Sequence, residues 1–150
     1  MIKQEKIQET LLRLCKHYGE QNRWQSDNKI EDLVSTILIQ RTTEKNAKLA
    51  LAGLMDVTTV EGILALPLEE LQECIRPSGF FKQKSQTIRR LLIWLREVGG
   101  FKVLARIKTE DLRKQLLELK GIGPETADAL LLDLFDCPVF ISDEYARRLF

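Results

Sequence analysis

Two short segments of the 150-residue chain hold residue types whose spacing suits chemistry. The first is Leu119-Lys120-Gly121-Ile122-Gly123-Pro124-Glu125-Thr126-Ala127, two glycines one residue apart between a helix end and a helix start. Such a turn bends the chain tightly, exposes backbone N–H groups without Cβ interference, and aims a helix N-terminus at an anion. Pro124 falls where its missing N–H costs nothing. No strand precedes the glycines and no third glycine follows, so this is not a dinucleotide fingerprint. The Lys-Ser/Thr ending of a phosphate-binding P-loop is also missing. Taken alone, Gly-x-Gly favours a plain helix-to-helix turn. The second segment is Pro138-Val139-Phe140-Ile141-Ser142-Asp143-Glu144-Tyr145, in which Asp143 stands eighteen residues after Glu125. An acidic residue after an apolar run and before a helical pattern is most often a helix N-cap.

Charge is placed unevenly along the chain. Residues 61–75 contain Glu61, Glu69, Glu70 and Glu73 and no basic residue, whereas residues 76–96 contain Arg76, Lys82, Lys84, Arg89, Arg90 and Arg96 and no acidic one. Such a run is a solvated helix face or a stripe that faces phosphates. The whole-chain balance does not decide between them: 23 Lys and Arg against 22 Asp and Glu leave a net charge of +1.

The elements that must position these residues are helical throughout. Ile7, Leu11, Leu14 and Tyr18 form an amphipathic stripe ended by Gly19. Leu33, Val34, Ile37 and Leu38 mark a second helix over Ile30–Gln40. Thr42-Thr43-Glu44 reads as a cap opening a third, with Leu49, Ala50 and Leu54 on its inner side. Short helices follow around Thr58–Leu64 and Pro67–Ile75, then the turn Pro77-Ser78-Gly79 and a long helix from Lys82 to Val98, closed by Gly99-Gly100. Helical segments near Lys102–Ile107 and Thr109–Leu119 lead to the Gly-x-Gly turn, a helix from Pro124 to Phe135, and a last helix capped by Ser142 or Asp143. No alternating strand pattern occurs, so the expected class is all-α, in one domain over 1–150.

A hydrophobic fraction of 44% and a charged fraction of 30% exclude a disordered or collagen-like chain. No apolar run approaches the ~20 residues of a membrane helix, and the N-terminus does not read as a secretory signal. Cys15, Cys74 and Cys137 are odd in number and far apart, which suits neither a disulfide framework nor a metal site and favours a reducing cytosol.

Taken together, Gly121-Ile122-Gly123-Pro124-Glu125-Thr126-Ala127, then Pro138-Val139-Phe140 and Asp143 at this spacing, resemble the helix-hairpin-helix (HhH-GPD) base-excision DNA glycosylases. Within them the chain looks most like endonuclease III relatives, especially the 3-methyladenine glycosylase branch. Ile37-Leu38-Ile39-Gln40-Arg41-Thr42-Thr43-Glu44-Lys45-Asn46 is similar to the family's Leu-x-Gln-x-Thr segment. Pro77-Ser78-Gly79-Phe80-Phe81-Lys82-Gln83-Lys84-Ser85 resembles its Gly-Phe/Tyr-x-x-Lys-Ala turn. The resemblance runs from about Tyr18 to Phe150.

The resemblance implies an all-α helical bundle around a helix-hairpin-helix, with the carboxy-terminal part of the family fold missing after Phe150. It implies a monofunctional glycosylase acting on alkylated purines in double-stranded DNA. Its rivals are an endonuclease III-type enzyme for oxidised bases and a catalytically inactive DNA-binding module. Asp143 becomes the carboxylate that stabilises positive charge on the sugar. Gln40 lies on the loop that fills the space left by an extruded nucleotide, where its residue type alone suggests a polar C-cap. Arg41, Lys82, Lys84, Gly121, Gly123 and Thr126 join it in binding DNA. Trp24 falls near an aromatic pair that stacks on the alkylated base, although a loop-pinning Trp fits equally well. Bifunctional members hold a Schiff-base lysine in the hairpin, and here that position is Glu125, which implies no lyase step. Many relatives carry a four-cysteine iron–sulfur cluster that this chain lacks, so no cofactor is expected beyond a monovalent cation at the hairpin. The expected setting is a monomer at the nucleoid of the cytoplasm, with no membrane partner.

Overall fold

Local sequence explains most of the helix ends in the computed structural model, which describes residues 2–21 and 26–150. Helix α1 (Ile2–Tyr18) stops at Gly19, whose φ of 73° takes the chain out of the helix. Its stripe of Ile7, Leu11, Leu14 and Tyr18 remains exposed. Helix α2 (Lys29–Leu38) starts at Asn28, whose side chain accepts from the N–H groups of Ile30 and Glu31. Helix α3 (Glu44–Ala52) is capped by Thr43, and α4 (Val60–Ala65) by Thr59. Helix α5 (Leu68–Ile75) follows Pro67, and a 3-10 turn over Arg76–Ser78 leads into the long α6 (Phe81–Glu97). After α7 (Phe101–Leu104) come the hairpin helices α8 (Thr109–Glu118) and α9 (Pro124–Phe135), and then α10 (Glu144–Leu149). Among the described residues there is no strand, so the all-α expectation holds.

The chain divides into two compact units, Met1–Trp24 with Ser142–Phe150 and Gln25–Ile141. In the larger unit α2 packs against α3, α6 and α9, and α8 lies along α9. The core combines Leu33, Val34, Ile37 and Leu38 of α2 with Ile88, Leu91, Leu92 and Leu95 of α6 and Leu130, Leu131 and Leu134 of α9. Each such side chain contributes about 1.5–3 kcal/mol on burial. Ala50 and Leu54 are buried as their spacing predicts, but Leu49 is 52% exposed. It projects from α3 on the side away from that core, so its assignment to the inner face is corrected.

Candidate functional site

The hairpin is built by two constraints on one glycine. Gly121 has a φ of 97°, a region that side chains rarely enter, and a Cβ there would meet Thr87 Oγ1 of α6 at 2.3 Å. Gly123 is different: its φ is −93°, and a Cβ would meet nothing within 4 Å. It is the N-cap of α9, without a side-chain acceptor, and Pro124 follows at the first turn. Ile122 is buried between them, and its N–H donates to Leu119 O at 3.1 Å. Among the described residues no backbone acceptor takes the N–H of Gly121 or of Gly123. Donors that are free, exposed and at the positive end of a helix dipole suit an anion. Glu125 is exposed in the same first turn.

The two hairpin helices are joined by an ion pair that sequence reasoning missed. Arg113 of α8 donates through Nε to Asp128 Oδ1 at 2.7 Å and through a terminal nitrogen to Oδ2 at 3.1 Å. Asp128 is buried, and its carboxylate raises the pKa of Arg113 above the ordinary value through hydrogen bonding. Arg90 of α6 adds a bond to Lys120 O at 3.3 Å. Thr87, Arg90, Arg113 and Asp128 therefore fix the turn through side chains.

A second loop is tied to the same place. Gln40, after the end of α2, donates through Nε2 to Thr126 Oγ1 of α9 at 2.6 Å, across 86 residues of sequence. Its neighbour Arg41 is exposed with a φ of 51°, and Phe80, at the N-cap of α6, has a φ of 46°. Non-glycine residues held in this region cost on the order of 1–3 kcal/mol each. The Arg41 guanidinium lies 5.9 Å from the centre of the Phe80 ring. The structure thus gathers Gln40, Arg41, Gly121, Gly123 and Thr126 within the larger unit.

Lys84 needs a correction. It was expected among the groups that contact DNA, but it is 4% exposed. Its Nζ donates to Leu38 O and Ser78 O, each at 2.8 Å, so it ties the end of α2 to the turn before α6. Burial lowers its pKa to about 8. The signal was legible: Lys84, Ile88, Leu91 and Leu95 recur at helical spacing, so Lys84 lies on the buried stripe of α6. The rest of the basic run is divided. Lys82 and Arg96 are exposed, whereas Arg76 pairs with Glu73 and Arg89 reaches Leu64 O at 3.4 Å. The Glu73 carboxyl is held below its ordinary pKa by its hydrogen bond to Arg76.

In the smaller unit, Asp143 is the N-cap of α10, and its Oδ1 accepts from Ala146 N at 2.7 Å. One carboxylate oxygen thereby fixes the rotamer. Trp24 lies outside the described residues. Cys15 is exposed and Cys74 and Cys137 are half-buried, all as free thiols.

Known proteins share this architecture. Residues 34–93 match the HhH-GPD superfamily base excision DNA repair protein family. A Methanocaldococcus jannaschii protein whose name assigns it to the DNA repair glycosylases is 34% identical over 142 residues, 91% of this chain and 64% of its own length. Thermotoga maritima endonuclease III is 30% identical over 119 residues, 78% of this chain and 53% of its own length. The chain therefore spans between about half and just under two thirds of these relatives. Among solved structures, the H. pylori 3-methyladenine DNA glycosylase bound to 1,N6-ethenoadenine superposes with a TM-score of 0.75 at 27% identity, covering 93% of this chain and 68% of that one. A non-covalent endonuclease III–DNA complex superposes with a TM-score of 0.78 at 24% identity, covering 97% of this chain and 66% of that one, which establishes the shared fold.

Proposed function

Because the chain belongs to the HhH-GPD superfamily of base excision DNA repair proteins, we propose that it is a monofunctional DNA glycosylase for alkylated purines such as 3-methyladenine. The observation that carries this reading is the hairpin itself, with open glycine N–H groups and the exposed carboxylate of Glu125 where bifunctional relatives hold a lysine. A carboxylate cannot form a Schiff base with the sugar, which supports base release by hydrolysis. The likeness to the H. pylori 3-methyladenine glycosylase supports the same substrate class.

In this reading the substrate is damaged double-stranded DNA, met by a monomer without a resident cofactor. The N–H groups of Gly121 and Gly123 donate to a backbone phosphate, which sets register without reading sequence. The target nucleotide swings out of the duplex, and Gln40, anchored on Thr126, fills the space it leaves. A cationic alkylated base is already a good leaving group, so little general-acid help is needed. The base departs with the bonding electron pair, and Asp143 steadies the resulting sugar cation. Water then bonds to the anomeric carbon and gives its proton to solvent.

A second reading, an endonuclease III-type enzyme for oxidised bases, is favoured by the names of relatives from Thermotoga maritima and Sulfolobus acidocaldarius. A panel of duplexes with single lesions separates the two. Release of 3-methyladenine with no release of oxidised pyrimidines supports the first, and the reverse pattern overturns it. Binding to every duplex without release identifies a DNA-binding module instead.

A further inference from the structure

Gln40 is held by more than its own backbone. Its N–H reaches Ile37 O only at 3.4 Å, and the next residue, Arg41, leaves the helical path with a φ of 51°. A long amide side chain at such a helix end samples many rotamers, and ordering it costs entropy. Two long-range contacts remove that freedom in advance. Lys84 Nζ donates to Leu38 O at 2.8 Å, two residues before Gln40, and fixes the stem of the loop. Thr126 Oγ1 accepts from Gln40 Nε2 at 2.6 Å and fixes the tip of the side chain.

Thr126 is placed to serve as an anchor. Its branched Cβ restricts its own χ1. It stands three residues after Gly123, the N-cap of α9, and directly after Glu125. The turn it belongs to is already rigid, because Arg113 pairs with Asp128 and Gly121 lies against Thr87. The bond to Thr126 therefore refers the Gln40 amide to the same frame that carries the glycine N–H groups. Both side chains are half-buried, so the amide is ordered without being sealed away from an incoming duplex.

Resting on the glycosylase reading above, we infer that Thr126 is a positioning residue for Gln40. Its hydroxyl orders the amide before DNA arrives, so that gripping the phosphate and filling the vacated space occur in one docking step. Groups ordered beforehand lose little freedom on binding, and the gain appears as affinity for a duplex with a vacated position. Thr126 acts through Gln40, contacts no base or phosphate itself, and takes no part in bond cleavage.

The test is a double-mutant cycle on equilibrium binding to two labelled duplexes, identical except for one tetrahydrofuran abasic analogue. The readout is the ratio of the two affinities. The wild type is expected to prefer the abasic duplex, and Gln40→Ala to lose preference. Thr126→Val keeps the branched shape without the hydroxyl, and should lower the ratio roughly 2- to 12-fold, the worth of one neutral hydrogen bond. Made on top of Gln40→Ala, the same substitution should change nothing, because the group it positions is gone. Thr126→Ser should keep the wild-type ratio. A Thr126→Val variant with the wild-type ratio, an equal loss in the Gln40→Ala background, or a serine variant that behaves like valine overturns the inference and leaves the glycosylase reading standing. A wild type that binds both duplexes alike, or a Gln40→Ala variant with full preference, overturns the role that reading gives to Gln40 and the inference with it.

Discussion

Replacing Lys84 with methionine isolates what the buried ammonium does. Methionine keeps nearly the same length on the inner stripe of α6, so packing is little changed. The substitution removes the donor shared by Leu38 O and Ser78 O, both at 2.8 Å. A buried carbonyl left without a partner costs about 1–3 kcal/mol, so the gross loss is about 2–6 kcal/mol. Methionine also removes a charge that burial disfavours, which offsets part of this and leaves a net loss of about 2 kcal/mol. The pH dependence has a definite sign. The folded chain sheds the Lys84 proton near pH 8, whereas the unfolded chain keeps it up to the ordinary lysine range. Between those values the unfolded state binds more protons, so raising the pH stabilises the wild type relative to Lys84→Met. Below about pH 8 the cost of the buried charge is fully present, and above the ordinary lysine range it is gone. Urea unfolding of both proteins, followed by circular dichroism from neutral to alkaline pH, measures the difference directly. A difference that stays flat across this range, or a methionine variant more stable than the wild type at neutral pH, refutes the reasoning.

The two hairpin glycines should respond to different degrees. Gly121→Ala meets both the left-handed backbone and Thr87 Oγ1, and should lose roughly 2–4 kcal/mol in urea unfolding. Gly123→Ala faces open space at an ordinary φ, and should lose less than about 1 kcal/mol in the same measurement. Borohydride reduction of the protein on abasic-site DNA should trap no covalent complex, because Glu125 offers no amine; a trapped adduct seen by denaturing electrophoresis would assign a lyase lysine elsewhere.

Helices and caps were readable because they depend on neighbours in sequence. Thr43, Asp143 and the Pro124–Phe135 helix fall where side-chain capping and proline placement put them. The hairpin was readable because paired glycines and a proline admit few backbone paths. What fixes the hairpin was not. Thr87 against Gly121, Gln40 on Thr126 and Arg113 on Asp128 each join residues far apart in the chain, and no periodicity encodes such pairs. The basic run misled for a related reason, since charge composition does not say which face of α6 a residue occupies. The apolar spacing around Lys84 does say so, and it outweighs the charge of the side chain once two carbonyls are within reach. Phe80 and Phe81 were inseparable in sequence for a simpler reason: Phe81 packs against the core while Phe80 stays exposed, and adjacent residues of one type carry no periodicity that says which.

Single-turnover release of 3-methyladenine from methylated duplex DNA, compared between the wild type and Asp143→Asn, tests the central claim most directly. Asparagine can still accept the Ala146 N–H that Asp143 Oδ1 accepts at 2.7 Å, so α10 keeps its cap and the fold is preserved. Only the negative charge is lost. The account predicts that the wild type releases the base and that the variant does so on the order of 10²–10³ times more slowly, the usual loss for one preorganised electrostatic group. Release by Asp143→Asn at the wild-type rate would contradict it and leave Asp143 a helix cap alone.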